Sequence, residues 1–381
     1  MQAAQHLAQA LQRELHPPER ARLELRLAAI AARQGRFQES AAVVERLRAA
    51  QAAGTLPGEA STAAWMHLVQ GLAELHRAPE TATPDTLARA QALAQLATDA
   101  EVQALAAAWL AHLHFNQGRL EDFASWAARA RGFAGLGGGC PAALGRVALT
   151  VASAWMVAAE EAAAQAWFGC AREAAAAASD SLLVAAVLHD RAAFGVHRMR
   201  IGWALAPAEA SAPQAGELAW LQLDAARSYE AAVRAQALAE LQPLVRIALL
   251  VVQERHEEAL GWIDQTLPRL AEAGLARYDA QLRADRLWCG LALGRPADAL
   301  AEATDIQSRL VHTPDPDDRL IVHATLGRAL HAAGQARAAR AQVRQAALEH
   351  TRAQAQWAVL AQALRTHGLD DPAGSGARTH G

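Results

Sequence analysis

Side chains able to do chemistry are plentiful in this 381-residue chain, which has 15 histidines, three cysteines and 39 carboxylates. Their spacing does not gather them into a reactive group. His112 and His114 stand two apart in a helical pattern and so point to different faces, poor geometry for holding one metal ion. His189 and His197, like His323 and His331, lie about two helical turns apart, too far to share an ion without a bend. Cys140, Cys170 and Cys289 are distant from one another and odd in number, which argues against a disulfide framework or a thiolate metal site. Cys170 and Cys289 fall in apolar helical patterns and read as buried, inert thiols. The pairs Glu160-Glu161, Glu257-Glu258 and Asp317-Asp318 sit at helix starts, where attraction to the positive end of the helix dipole accounts for them.

Larger catalytic signatures are also missing. The chain has no Gly-x-Ser-x-Gly elbow, no His-Glu-x-x-His helix and no dinucleotide fingerprint, and it lacks the strands that the first and last of these need. The glycine-rich run from Gly132 to Cys140 has no strand before it and no Gly-Lys-Ser/Thr after it, so it reads as a linker rather than a phosphate cradle. Pro141 suits the start of the next helix. The expectation is a protein that is not an enzyme, with no catalytic residues, no metal and no cofactor.

Composition points to helices. The chain is 52% hydrophobic but 5% aromatic, its apolar share coming largely from Ala and Leu, the best helix formers. A net charge of -3 and a pI near 6.6 give no global reason to expect nucleic acid or an anionic membrane as the main partner, although a local patch is compatible with them. Every one of the 36 basic residues is Arg, so arginine richness reads as coding bias rather than phosphate binding. The cysteine usage fits a reducing cytoplasm. The stretch Met1 to Leu15 lacks the basic start and continuous apolar core of a secretory leader. The most apolar runs, Val147 to Ala159 and Leu244 to Val252, fall short of the roughly 20 residues a membrane span requires and read as buried helices.

Internal repetition supplies the architecture. A short turn followed by a small-residue helix recurs as Gln34-Gly35-Arg36-Phe37, Gln117-Gly118-Arg119-Leu120, Leu293-Gly294-Arg295-Pro296 and Ala333-Gly334-Gln335-Ala336, with a degenerate copy at Gln253-Glu254-Arg255-His256. The turns at 254, 294 and 334 are 40 apart, and the interval from 35 to 118 is two periods of about 41. Missing turns are therefore expected at Leu75 to Pro79 and at Ala159 to Ala162. In the last unit Asp315 is placed to cap a helix whose first position is Pro316, with Asp317 and Asp318 near its positive end and Gly334 closing it. Leu320, Ile321, Ala324, Leu326 and Leu330 then cover one face of that helix, and Ala338, Ala339, Val343 and Ala346 give the next helix its facing stripe.

The pattern of Leu326, Gly327, Leu330, Gly334 and Ala339 resembles the tetratricopeptide repeat, which alternates large and small apolar residues around a turn glycine; Leu27, Ala28, Ala31, Gly35, Phe37 and Ser40 match it more loosely. The unit here is nearer 40 residues than the family's 34, and most copies lack its aromatic positions and terminal Pro. Such long units are similar to the helical arrays of maltose-activator-type bacterial regulators and of some diguanylate cyclase sensor regions. The resemblance implies an all-α fold: a right-handed α-solenoid of about eight antiparallel helix hairpins over residues 1–368, with a possible seam at 203–216 and a disordered tail at 369–381. A long helix is expected from Glu217 to Gln236.

The resemblance also implies a concave groove lined by the first helix of each unit. By offset from the turn, its residues are Arg22, Arg26 and Arg33; Trp109, His112 and Asn116; Asp285 and Trp288; and Arg328 and His331. Most of the ten Trp read as core filling, with Trp109 and Trp288 as the candidates for partner anchors. The Lys and Asn clamp that some members use for peptide carboxylates is absent. The function expected is a scaffold that binds a protein or peptide in that groove. The alternative is a ligand-sensing module of a bacterial regulator or signalling protein, its pocket near residues 203–242.

Overall fold

The computed structural model describes residues 2–13, 15–78, 81–135, 139–206 and 213–373. Among these, regular structure is entirely helical, and no strand occurs. In chain order the helices are α1 (Gln2–Ala10), α2 (Pro17–Arg33), α3 (Phe37–Ala52), α4 (Ala60–Arg77), α5 (Asp85–Leu96), α6 (Ala100–Asn116), α7 (Leu120–Ala134), α8 (Pro141–Val157) and α9 (Glu161–Ala177). They continue with α10 (Ser181–Leu205), α11 (Pro213–Val233), α12 (Gln236–Ala239), α13 (Gln242–Val252), α14 (His256–Thr266), α15 (Asp279–Ala292), α16 (Ala299–Arg309), α17 (Pro316–Ala332) and α18 (Ala336–Thr366). No helix among the described residues is long and apolar enough to cross a membrane.

The turns explain the spacing. After α2, α6, α8, α13, α15 and α17 one residue takes a positive φ, and the next N–H returns to a carbonyl five residues back, as in Arg36 to Ala31, Arg119 to His114, Glu160 to Trp155, Arg255 to Leu250, Arg295 to Gly290 and Gln335 to Leu330. This closure ties off the last carbonyls of each helix. Gly35, Gly118, Gly294 and Gly334 take the left-handed conformation freely, whereas Ala159 (φ 60°) and Glu254 (φ 58°) hold it against their Cβ. Ala159→Gly and Glu254→Gly are therefore each expected to stabilise the chain by about 1 kcal/mol, read as a rise in Tm.

Contacts divide the chain into two compact units, one made of Met1–Val187, Tyr229–Leu238 and Val359–Gly381, the other of Leu188–Ser228 and Ala239–Ala358. In the first, each helix packs on its successor from α2 to α9, while α2 also packs on α4, α4 on α6 and α6 on α8. Its core gathers Leu25, Trp65, Leu68, Leu72, Leu87, Trp109 and Leu113. The close crossing of α4 and α5 needs Gly71, where an added Cβ would lie 2.6 Å from Leu87 Cδ2. In the second unit α13, α14, α15, α16 and α17 pack in succession and α15 also packs on α17, around Ile247, Leu250, Ile263, Leu287, Ile306, Leu326 and Leu330.

Several sequence expectations change. Asp315 precedes α17, but its carboxylate meets Arg277 instead of capping the backbone, because a nearby guanidinium is a stronger partner than an amide. Asp318 joins the same arginine at 3.0 Å, and Glu160 pairs with Arg365 at 2.6 Å, so the helix dipole is not the whole account of these carboxylates. Val343, expected in the facing stripe of α18, does turn its Cγ2 toward Gly327 of α17 but is 59% exposed. The long helix expected at 217–236 is α11, which ends at Val233 because Arg234 turns left-handed. Of the expected seam, residues 207–212 lie outside the described residues, as do 136–138 of the glycine-rich linker and Pro79 of an expected turn.

The expected tail also begins too early. Leu369 is fully buried in the first unit, and its carbonyl accepts the indole N–H of Trp155 at 2.8 Å and that of Trp167 at 3.1 Å. Residues 374–381 lie outside the described residues.

Candidate functional site

In the first unit, the first helices of consecutive hairpins bring their polar and aromatic residues together around Trp109. α6 carries Trp109, His112 and Asn116 at a spacing that keeps them on one face. α2 contributes Arg33, α4 His76, and α8 Arg146 and Thr150. The Arg146 guanidinium lies 4.2 Å from the Trp109 ring centre and that of Arg33 lies 5.8 Å from it, while His76 and His112 meet the ring edge-on at 5.3 and 5.6 Å. Such cation–π and edge contacts hold the ring in one orientation. Arg33 also forms a two-pronged bond with Asp180, just ahead of α10, at 2.8 and 3.1 Å.

The hydrogen bonds around His112 fit a neutral ring. Asn116 Nδ2 is 3.2 Å from His112 Nε2, which accepts if the amide donates. Thr150 gives its hydroxyl proton to the Arg146 carbonyl, leaving its oxygen to accept from His112 Nδ1–H at 3.5 Å. Burial, then the positive charge of Arg146, holds His112 well below the usual imidazole range. The same causes, with Arg33, take His76 down to about 3. Asp180 is held low: burial opposes this, but the charge and hydrogen bonds of Arg33 outweigh it.

The sign of the resulting pH dependence follows directly. Between about pH 6.5 and 3 the unfolded chain binds a proton at position 76 that the folded chain refuses, so stability falls as the pH falls through that window. From pH 7 to pH 5 this amounts to about 2 kcal/mol for His76. His76→Leu is expected to lose that much less than the wild type over the same range, measured by urea unfolding at both pH values.

The ten sequence-predicted residues divide sharply. Arg33, Trp109, His112 and Asn116 converge, but Trp109 is only 3% exposed, so it is the centre of the cluster rather than an open anchor. Arg26, half-buried, pairs with Glu101 and lies over the Trp65 ring at 5.6 Å, while Arg22 is exposed and reaches Ser61 at 3.3 Å. His76, Arg146, Thr150 and Asp180 were not legible as members. Arg146 stands at an offset from its turn that neither Trp109 nor His112 has, and Thr150 shares the offset of Trp109 but precedes a turn without glycine. Among the described residues no left-handed residue follows His76 in the turn after α4, and Asp180 lies ahead of its helix.

In the second unit Asp285 is fully buried and bonded to Arg200, an internal strut rather than a groove residue. Burial, only partly opposed by Arg200, pushes its carboxyl up to about 6, and the adjoining Cys289 thiol rises to about 12. Arg328 donates to the Trp203 carbonyl and lies 3.6 Å from that ring's centre. Burial, then the charge of Arg200, lowers it to about 10. Trp288 is half-buried and edge-on to His256 at 5.8 Å, and His331 is exposed. All three cysteines are free, and among the described residues no group of three or more His, Cys, Asp or Glu is arranged to hold a metal ion.

No protein-family model matches the chain, and the search of curated proteins finds no match.

Proposed function

We propose that the chain is a non-enzymatic, tetratricopeptide-like scaffold, a right-handed array of about eight hairpins that holds a segment of a protein partner along the first-helix face of its first unit. One observation carries this reading: α2, α4, α6 and α8 each place an arginine, histidine or tryptophan in the same cluster, as a surface shared by consecutive hairpins requires. The accessible rim of that first-helix face comprises Asn116 at the end of α6 and, beside the start of α6, Arg22 and Arg26. The test is cross-linking of the full chain in lysate followed by mapping of the linked residues. Partner contacts at that rim, weakened by Asn116→Ala and Arg22→Glu with Tm unchanged, support the reading. Links that avoid it, or binding indifferent to both substitutions, overturn it.

A second reading, a ligand-sensing regulatory module, is favoured by the enclosure of the cluster. Arg33 bonds Asp180 across 147 residues, and the half-buried His76 keeps a buried Nε2 with no hydrogen-bond partner. An enclosed polar interior suits a small molecule better than a peptide. It places the ligand in the first unit rather than near residues 203–242. A thermal-shift screen of metabolites decides: stabilisation that Arg33→Ala abolishes supports it, and the absence of any stabilising compound counts against it.

A further inference from the structure

The solvent-facing side of α18 in the second unit presents Arg337, Arg340, Arg344 and Leu348, all exposed. At 100° and 1.5 Å per residue these four occupy about 80° of arc and span about 16 Å. None of the three arginines has an ion-pair or hydrogen-bond partner among the described residues. Exposed arginines elsewhere often do, as Arg36 does with Glu39, Arg255 with Glu258 and Arg286 with Asp264. From Ala336 to Leu348 the helix contains no carboxylate; the first, Glu349, is buried and committed to Arg319 and Arg352.

The arrangement works against the helix that carries it. α3, α7, α9 and α14 carry Glu or Asp in their first turn, which the positive end of a helix favours, whereas α18 has no acid there and bears Arg337. Leu348 in line with the arginines is 52% exposed, and Val343 beside them is 59% exposed. The charge is not used within the chain, and of the apolar area only the Cγ2 of Val343 is, against Gly327 of α17.

We propose that this face docks an acidic amphipathic helix of a protein partner, whose carboxylates at helical spacing meet Arg337, Arg340 and Arg344 while an apolar side chain covers Leu348. Charge complementarity sets the sign of the partner, and the helical register of the three arginines sets the spacing of its acids. Phosphate would use the arginines alone and leave Leu348 and Val343 in water, so a protein surface fits the composition better than a nucleic acid or a lipid bilayer. This face shares no residue with the rim of the first unit's first-helix face, so either proposal can fail alone.

The experiment uses the full chain and a synthetic helical peptide with glutamates spaced to match the arginines, followed by leucine. Its controls are the Glu→Gln peptide, a short DNA duplex and phosphatidylserine-containing vesicles. Binding of the acidic peptide is expected to weaken about tenfold in the triple variant Arg337→Gln, Arg340→Gln, Arg344→Gln, and several-fold in Leu348→Ala. Added salt should weaken it as well. Melting temperatures should not fall, since the replaced side chains are exposed. In the wild type the peptide should also protect these three arginines from phenylglyoxal, a readout that needs no variant. The proposal is overturned if the acidic peptide does not bind, if the triple variant binds it as tightly as the wild type, or if the arginines prove to matter only for DNA or vesicles.

Discussion

Asp285→Ala is expected to cost about 3–5 kcal/mol, since it leaves the Arg200 guanidinium buried with no counter-charge. What remains for Arg200 is a 3.2 Å contact with the Thr325 hydroxyl and the face of Trp203 at 4.3 Å, neither of which neutralises it. The pair is itself costly: Asp285 Oδ2 and Arg200 Nε and Nη1 are buried without hydrogen-bond partners. The raised carboxyl says the same: this group's contribution is full below about pH 4 and is lost as the pH rises through about 6. Replacing both residues together, Arg200→Met with Asp285→Leu, should accordingly be neutral or stabilising at pH 7, although each single change is harmful. Urea unfolding of the two single variants and the double variant reads this. A double variant as unstable as Asp285→Ala would show that the pair contributes net stability after all.

The second large effect lies at the other end of the chain. Removing residues from Leu369 onward deletes a fully buried leucine and strands two indole N–H groups that share its carbonyl. Lost apolar burial and two unsatisfied buried donors sum to about 5 kcal/mol. Ending the chain after Asp371 instead keeps these contacts and should cost little. A difference of only a few degrees in Tm between the two truncations would refute the assignment. Trp155→Phe, which removes one of the two donors and keeps most of the ring's burial, is expected to cost about 1 kcal/mol.

The helices were legible because their signals are local. Turn glycines at 35, 118, 294 and 334 announce left-handed residues directly, Glu254 stands in a degenerate copy of their pattern, and the period then located Ala159, whose side chain gives no such sign. Leu326, Leu330 and Ala339 are buried as their pattern implies. Counting offsets from the turn also put Trp109, His112 and Asn116 on one face. The same count failed for Asp285, because which part of a helix meets solvent depends on what packs over it, here Arg200 from α10, 85 residues away. Nothing around Asp180 or Leu369 marks them as partners of Arg33 and Trp155. Those pairings exist only once the chain has folded back on itself.

That folding back bears on the order in which the chain acquires its structure. Hairpins such as α2 with α3, or α6 with α7, close through neighbours and can form while synthesis continues. Yet the first unit is sealed by contacts spanning 147, 199 and 214 residues: Arg33 to Asp180, Gln34 to the Val233 carbonyl, and Trp155 to Leu369. On the ribosome the Trp155 and Trp167 indoles must therefore stay without this partner until Leu369 has emerged.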